Sequence, residues 1–297
     1  MGKLPVSSSL IRDVLKKGDY IEDTCPKYLL HRWIYKSIES HTSDPMKKGL
    51  YFETLCLGGS ARGQSLDDLP RKNGGGKTVD QERIEEQAEH FKFRVAKDKI
   101  LLDSTNTQVK LSRRWEKDKN IILTCEKDIF PTTRLIRVEG ESQQVWCEID
   151  LKLSADMNTT YGDYCWGSPE FIDQIQALLY LYITEDIDLE LNRKLHGNHP
   201  AYDALEEHFE MYQKIFKSKF YKFYYWIFSY KKAGPDENKF IEVILTDTKR
   251  MEMHESIRKT IQYFKDQAEL GFPPHYSNKC IKCKVLDCEG KQREQII

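Results

Sequence analysis

Apolar and polar positions along the chain alternate with periods that change several times, and each change marks an expected element. Over residues 6 to 16, Leu10, Ile11, Val14 and Leu15 recur at helical spacing behind Ser8 or Ser9, either of which can cap a helix. Pro26 suits the first turn of a second helix, which puts Cys25 near a helix N-terminus, where a thiolate is favoured. A third helix is expected after Asp44-Pro45, carrying Gly49 to Cys56 and stopped by Gly58-Gly59. From 58 to 78 the chain turns to Gly, Ser, Asp and Lys and reads as a flexible surface loop. Its end, Asn73-Gly74-Gly75-Gly76-Lys77-Thr78, imitates a phosphate-binding loop, but the first glycine of that motif would fall at Arg71 and no strand precedes it.

Helical periodicity returns from about 79 to 96. Period-two stretches follow over 121 to 130 and 134 to 138, then over 145 to 152, and such closely spaced strands read as hairpins or an antiparallel meander. After Gly167-Ser168-Pro169 a strongly apolar helix is expected over about 170 to 183, followed by a polar helical stretch to about 217. Residues 220 to 230 and 239 to 246, rich in aromatic and β-branched side chains and separated by Gly234 to Asn238, are predicted to pair as strands. A last helix is expected over about 248 to 269, and the tail from 270 to 297 carries cysteines. There is no internal repeat, and the pattern is read as a single domain over 1 to 297.

Composition narrows the classes. With 297 residues and 39% hydrophobic positions the chain can bury a sizeable core. Its 46 Lys+Arg balance 47 Asp+Glu, so a polyanion would have to be drawn by a local basic surface rather than by net charge. No run of eighteen apolar residues occurs and none follows the N-terminal methionine, so a soluble, cytoplasmic protein without membrane contact is expected. In that compartment the eight cysteines read as thiols or metal ligands rather than a disulfide framework.

The chemistry gathers at Val145-Trp146-Cys147-Glu148-Ile149-Asp150-Leu151-Lys152. Alternation along a strand turns Asp150 and Lys152 to one face, with Glu148 behind them. A carboxylate beside an ammonium can bind a divalent metal and a water together; taken alone, the octapeptide better suits a surface strand of a two-sided sheet with a solvated ion pair. Mg²⁺ or Mn²⁺ requires further hard oxygen ligands, and Asp128, near the end of a neighbouring strand, can supply one, with Glu126 as a weaker substitute. A second constellation, Cys280-x-x-Cys283-x4-Cys288 with Cys25 from the other end, offers four thiolates. Those suit a 4Fe-4S cluster or a tetrahedral zinc, and spacing alone suits zinc better. Cys56, Cys125, Cys147 and Cys165 read as small buried residues, and His31 and His275 as structural or exposed.

The order Gly49-x-x-x-Glu53, Asp128, Asp150-Leu151-Lys152 and Gln176-Ala177-Leu178-Leu179-Tyr180 resembles the RecB-like branch of the PD-(D/E)xK nuclease superfamily. One N-terminal cysteine followed by a C-terminal triplet resembles its iron-sulfur members, the AddB type and the exonucleases of CRISPR adaptation. The resemblance implies an α/β, restriction-endonuclease-like core, a mixed central sheet flanked by helices, with a cysteine cluster joining the termini. It implies that Glu53, Asp128, Asp150 and the Leu151 carbonyl hold Mg²⁺ or Mn²⁺, that Lys152 orients the attacking water, and that Gln176 and Tyr180 support the site or touch DNA. It also implies a 4Fe-4S cluster on Cys25, Cys280, Cys283 and Cys288. Two departures stand out: Glu53 occupies the place where many members have His, and Lys127 precedes Asp128 where the family name has Pro.

Lys214, Lys217, Lys219 and Lys222 interleave with aromatics from Phe216 to Trp226, a mixture that can meet phosphates and stack bases, although the aromatics better suit an amphipathic core strand and leave the lysines as backbone contacts. The expected function is a metal-dependent DNA nuclease, an exonuclease ahead of an endonuclease, of a stand-alone phage or CRISPR-adaptation type. It would serve recombination, repair or DNA processing, as a homo-oligomer or with partner proteins. The rivals are a non-catalytic DNA-binding module of the same fold and a zinc-stabilised interaction protein.

Overall fold

The computed structural model describes residues 4–22, 24–38, 43–58, 75–116, 118–157, 174–218, 220–231, 238–275, 283–285 and 288. In chain order the elements are β1 (Leu4–Val6), α1 (Ser8–Val14), β2 (Leu15–Lys16), β3 (Asp19–Tyr20), α2 (Pro26–Leu29), α3 (Asp44–Leu57), α4 (Val79–Lys97), β4 (Thr107–Trp115), β5 (Asp118–Val138) and β6 (Glu141–Ser154). There follow α5 (Ile175–Thr184), α6 (Leu189–His196), α7 (Pro200–Glu207), α8 (Phe209–Phe216), β7 (Lys222–Ser229), β8 (Asn238–Val243) and α9 (Asp247–Glu269). Contacts divide the chain into two compact units, one of Met1–His41, Ser112–Cys125 and Thr246–Ile297, the other of Thr42–Leu111 and Glu126–Leu245.

In the first unit β1 lies parallel to the start of β5, with Leu4 opposite Ile121 and Val6 opposite Leu123. Ser7, rather than Ser8 or Ser9, caps α1: its backbone is still extended from β1, as a cap requires, and its hydroxyl accepts the Leu10 N–H at 3.3 Å. Pro26 opens α2 as expected, and the helix runs on into a π-helical turn over Leu30–Ile34. The Thr246 hydroxyl caps α9, which buries Met253, Ile257, Thr260, Ile261 and Phe264 along one stripe.

The second unit is built on a mixed sheet. β5 and β6 form an antiparallel hairpin turned at Glu139 and Gly140, both at positive φ (51° and 88°), and β6 runs parallel to β7, which pairs antiparallel with β8. The segments read as separate strands over 121 to 130 and 134 to 138 are one strand. Pro131, which has no N–H to donate, falls where the β5–β6 register is interrupted between Ile129 and Thr132.

Alternation sorts the two faces of this sheet. Cys147, Ile149 and Leu151 of β6, with Tyr224, Trp226 and Phe228 of β7, pack with Phe52 and Cys56 of α3 and Ile84, Ala88 and Phe91 of α4. α5 covers the opposite face: the Ala177 N–H donates to the Tyr225 hydroxyl at 3.3 Å, and the Tyr180 ring meets Phe223 edge-on at 6.0 Å. Helix α5 is buried from Ala177 to Thr184, which accounts for its apolar character on every side. Helices on both faces also explain the unbroken aromatic run of β7, since a doubly covered strand has no polar face. Among the described residues no helix is long and apolar enough to cross a membrane. The loop expected over 58 to 78 falls mostly outside the described residues, as do Gly167-Ser168-Pro169 and the first residues of the helix expected from 170.

Candidate functional site

β6 presents Glu148, Asp150 and Lys152 to the face beneath α5, and Asp150 is only 3% exposed, so this is not the surface strand that the octapeptide alone would allow. The Asp150 Oδ2 atom is ion-paired with Lys152 Nζ, and its Oδ1 accepts from Gln176 Nε2 at 2.9 Å. Gln176 and Tyr180 stand one turn apart on α5, and the same Nε2 donates to the Tyr180 hydroxyl at 3.2 Å. Lys152 stays 27% exposed, so its ammonium faces both Asp150 and solvent.

Asp128 lies on β5 just before the register break, and its Oδ2 accepts the Leu151 N–H at 2.6 Å. Glu53 enters from α3; its Oε1 accepts from Gln108 Nε2 at 3.3 Å. Gln108 is itself in the left-handed region at φ 53°, which non-glycine residues adopt at a cost. Burial pushes the Asp128 carboxyl well above the usual carboxylate range; the Asp150 and Glu53 charges push the same way, against the pull of Lys152 and the Leu151 N–H. Asp150 and Glu53 thus both act on Asp128 beside one ammonium, an excess of negative charge that a hard cation would relieve. All of these donors are oxygens, the ligand type that Mg²⁺ and Mn²⁺ take; among the described residues no group of three or more His, Cys, Asp or Glu side chains is placed to hold a metal ion.

Glu148 and Lys127 form a second polar cluster that sequence reasoning missed. Both are 1% exposed and ion-paired, so Glu148 is neither solvated nor a spare ligand. Lys127, noted only as a missing proline, donates also to Thr184 Oγ1 at 2.5 Å and to the Tyr180 carbonyl at 3.2 Å. The Tyr221 hydroxyl donates to Glu148 Oε2 at 3.3 Å. A lysine within the strand expected over 121 to 130 was the available signal, because a charge that such a strand buries demands a partner. The Glu126 charge acts on His196.

Cys25, Cys283 and Cys288 fall in the first unit. Cys25 Sγ accepts the His275 N–H at 3.4 Å, which brings the N-terminal cysteine to the segment preceding Cys280. Cys283 and Cys288 join Ile38, Val285 and Tyr28 in one small cluster, while Cys280 lies outside the described residues. Cys56, Cys125 and Cys147 are buried; Cys165 is not among the described residues. Burial raises the Cys56 and Cys147 thiols, which leaves them inert. His31 is half-buried, its Nδ1 2.9 Å from Ser37 Oγ. Of the lysines expected to meet DNA, Lys217 is exposed, Lys219 is outside the described residues, and Lys222 donates to both Glu242 oxygens at 2.8 Å. Phe223, Tyr224, Tyr225 and Trp226 are core; Phe220, at 68% exposure, is the aromatic left to solvent beside Lys217.

No protein-family model matches the chain, and no curated protein does. Among solved structures, the crystal structure of a candidate exonuclease from Eubacterium rectale is similar over 95% of this chain and 88% of its own, at 16% identity and a TM-score of 0.51. At that identity the likeness is one of fold alone.

Proposed function

We propose that this chain is a divalent-metal-dependent deoxyribonuclease, acting as an exonuclease at DNA ends or in single strands. The observation that carries the reading is the convergence of Glu53, Asp128 and Asp150 beside Lys152, with Gln176 bonded to Asp150. A fold shared with a candidate exonuclease supports it. Glu53, Asp128, Asp150 and the Leu151 carbonyl would hold Mg²⁺ or Mn²⁺, which when bound acidifies a water and neutralises phosphate charge. Lys152, at the solvent edge, would orient the attacking water and stabilise developing phosphate charge. Gln176 fixes the Asp150 carboxylate, and Tyr180 fixes Gln176. Lys217, Lys219 and Lys222 serve as backbone contacts, Lys222 after releasing Glu242.

A 4Fe-4S cluster on Cys25, Cys280, Cys283 and Cys288 belongs to the same reading. Its support is the meeting of Cys25 with His275 and the burial of Cys288 beside Cys283; zinc is the alternative occupant.

The test is digestion of end-labelled linear DNA and of circular DNA with Mg²⁺, Mn²⁺ or EDTA, using anaerobically purified protein assayed for iron, sulfide and zinc. Metal-dependent loss of label from linear DNA alone is expected. Cutting of circles moves the assignment to an endonuclease, and binding without cleavage under every metal moves it to a non-catalytic DNA-binding module.

A further inference from the structure

Glu148 and Asp150, two residues apart on β6, both face α5, yet only Asp150 belongs to the candidate metal centre. Lys127 has three N–H donors and meets three acceptors: Glu148, Thr184 Oγ1 and the Tyr180 carbonyl. The rings of Phe130 and Tyr180 lie 4.6 and 5.5 Å from its nitrogen. A pair so deep gains little stability over apolar side chains of the same volume, because desolvation offsets the attraction. What apolar side chains would not supply is direction.

Direction matters here because of where the acceptors lie. Gln176, Tyr180 and Thr184 follow one another at four-residue spacing and form one stripe of α5. The β6 stripe beneath carries Glu148, Asp150 and Lys152. Lys127 and Glu148 tie the far end of the helical stripe to β5 and β6 at Thr184, while Gln176 reaches Asp150 at the near end. A slip of α5 by one residue moves Gln176 by about 1.5 Å, enough to break a 2.9 Å hydrogen bond. Lys127 also precedes Asp128 in the chain, so the same anchor fixes the backbone from which Asp128 reaches the Leu151 N–H.

We infer that Lys127 and Glu148 are positioning residues for the candidate metal centre: their buried pair sets the register of α5 over β6 and so aims Gln176 at Asp150. The function of that centre rests on the nuclease reading; the positioning itself does not.

The test uses the double variant Lys127→Met/Glu148→Leu, which removes both charges and leaves neither unpaired, with Thr184→Val as a second variant that trims one anchor. Two readouts go beyond folding: the chemical shift and solvent exchange of the Gln176 side-chain amide by NMR, which need no metal, and Mn²⁺ affinity by calorimetry. A folded variant is expected to lose the protected Gln176 signal and to bind Mn²⁺ about tenfold or more weakly. Thr184→Val should shift both in the same direction by less. Folded variants that keep the wild-type Gln176 signal overturn the inference, and should the double variant fail to fold, an unchanged signal in Thr184→Val does so alone. Wild-type protein whose Mn²⁺ binding is absent, or unaltered in Asp150→Asn, overturns the nuclease reading instead, and the amide signal still decides the positioning.

Discussion

The two ion pairs of β6 differ in everything but chemistry. Lys127–Glu148 is sealed at 1% exposure on both sides, with every ammonium donor directed at an acceptor. Asp150–Lys152, one step along the same strand face, keeps its lysine 27% exposed and acts together with Glu53 on the further carboxylate of Asp128. Charge is neutralised within the first cluster and left in excess in the second. The first cluster balances its charge, though Glu148 Oε1 lacks a hydrogen-bond partner, whereas the unbalanced, open one can take a cation and a water. The contrast separates a group that holds geometry from a group that can do chemistry, though both are a lysine beside a carboxylate.

The sharpest way to break that contrast is to remove one partner from each. Asp150→Asn and Lys152→Ala are expected to reduce cleavage by about 10²-fold or more, since each group acts on charge that develops in the transition state. The melting temperature should stay close to wild type. Cleavage retained by both variants would remove the site from the candidate centre. Lys127→Ala should act in the opposite sense: it strands Glu148 without a counter-charge and is expected to cost about 3–5 kcal/mol, read as a lower urea midpoint. The comparison fails if Lys152→Ala destabilises the protein as much as Lys127→Ala does.

Sequence periodicity was enough for α3, α4, α9 and the β7–β8 pair, because each presents a face of regular period or an aromatic run bounded by turn residues. The Asp150–Lys152 pairing was legible for the same reason, being an i, i+2 relation within one strand. Gln176 over Asp150 required a resemblance as well as a helix, since nothing in the pentapeptide says which sheet face it covers. Lys127–Glu148 was not legible. Its contact depends on how β5 sits against β6 beside a register break, and a one-residue shift turns a strand's side chains to the other face. Pro131 marked the irregularity but suggested two strands, because a missing N–H is compatible both with a strand end and with an interrupted ladder. The cap of α1 was misplaced by a residue for a related reason: Ser7, Ser8 and Ser9 are chemically equivalent, and only the extended backbone left by β1 selects the first.

The finest distinction concerns what closes the buried cluster. Tyr221 donates to Glu148 Oε2 at 3.3 Å, the longest of the hydrogen bonds that oxygen accepts, while Lys127 and Thr184 reach the same atom. If closure depends on the lysine, Tyr221→Phe removes one weak donor from an oxygen that keeps two others and leaves the ring packing intact. The expected cost is then about 0.5–1.5 kcal/mol, with no change in the metal dependence of cleavage. A cost near that of Lys127→Ala would mean that the hydroxyl, rather than the ammonium, makes burial of Glu148 tolerable. Combining Tyr221→Phe with Lys127→Met/Glu148→Leu separates the two cases: once the carboxylate is gone the tyrosine substitution should be close to neutral, because the hydroxyl no longer has its acceptor there.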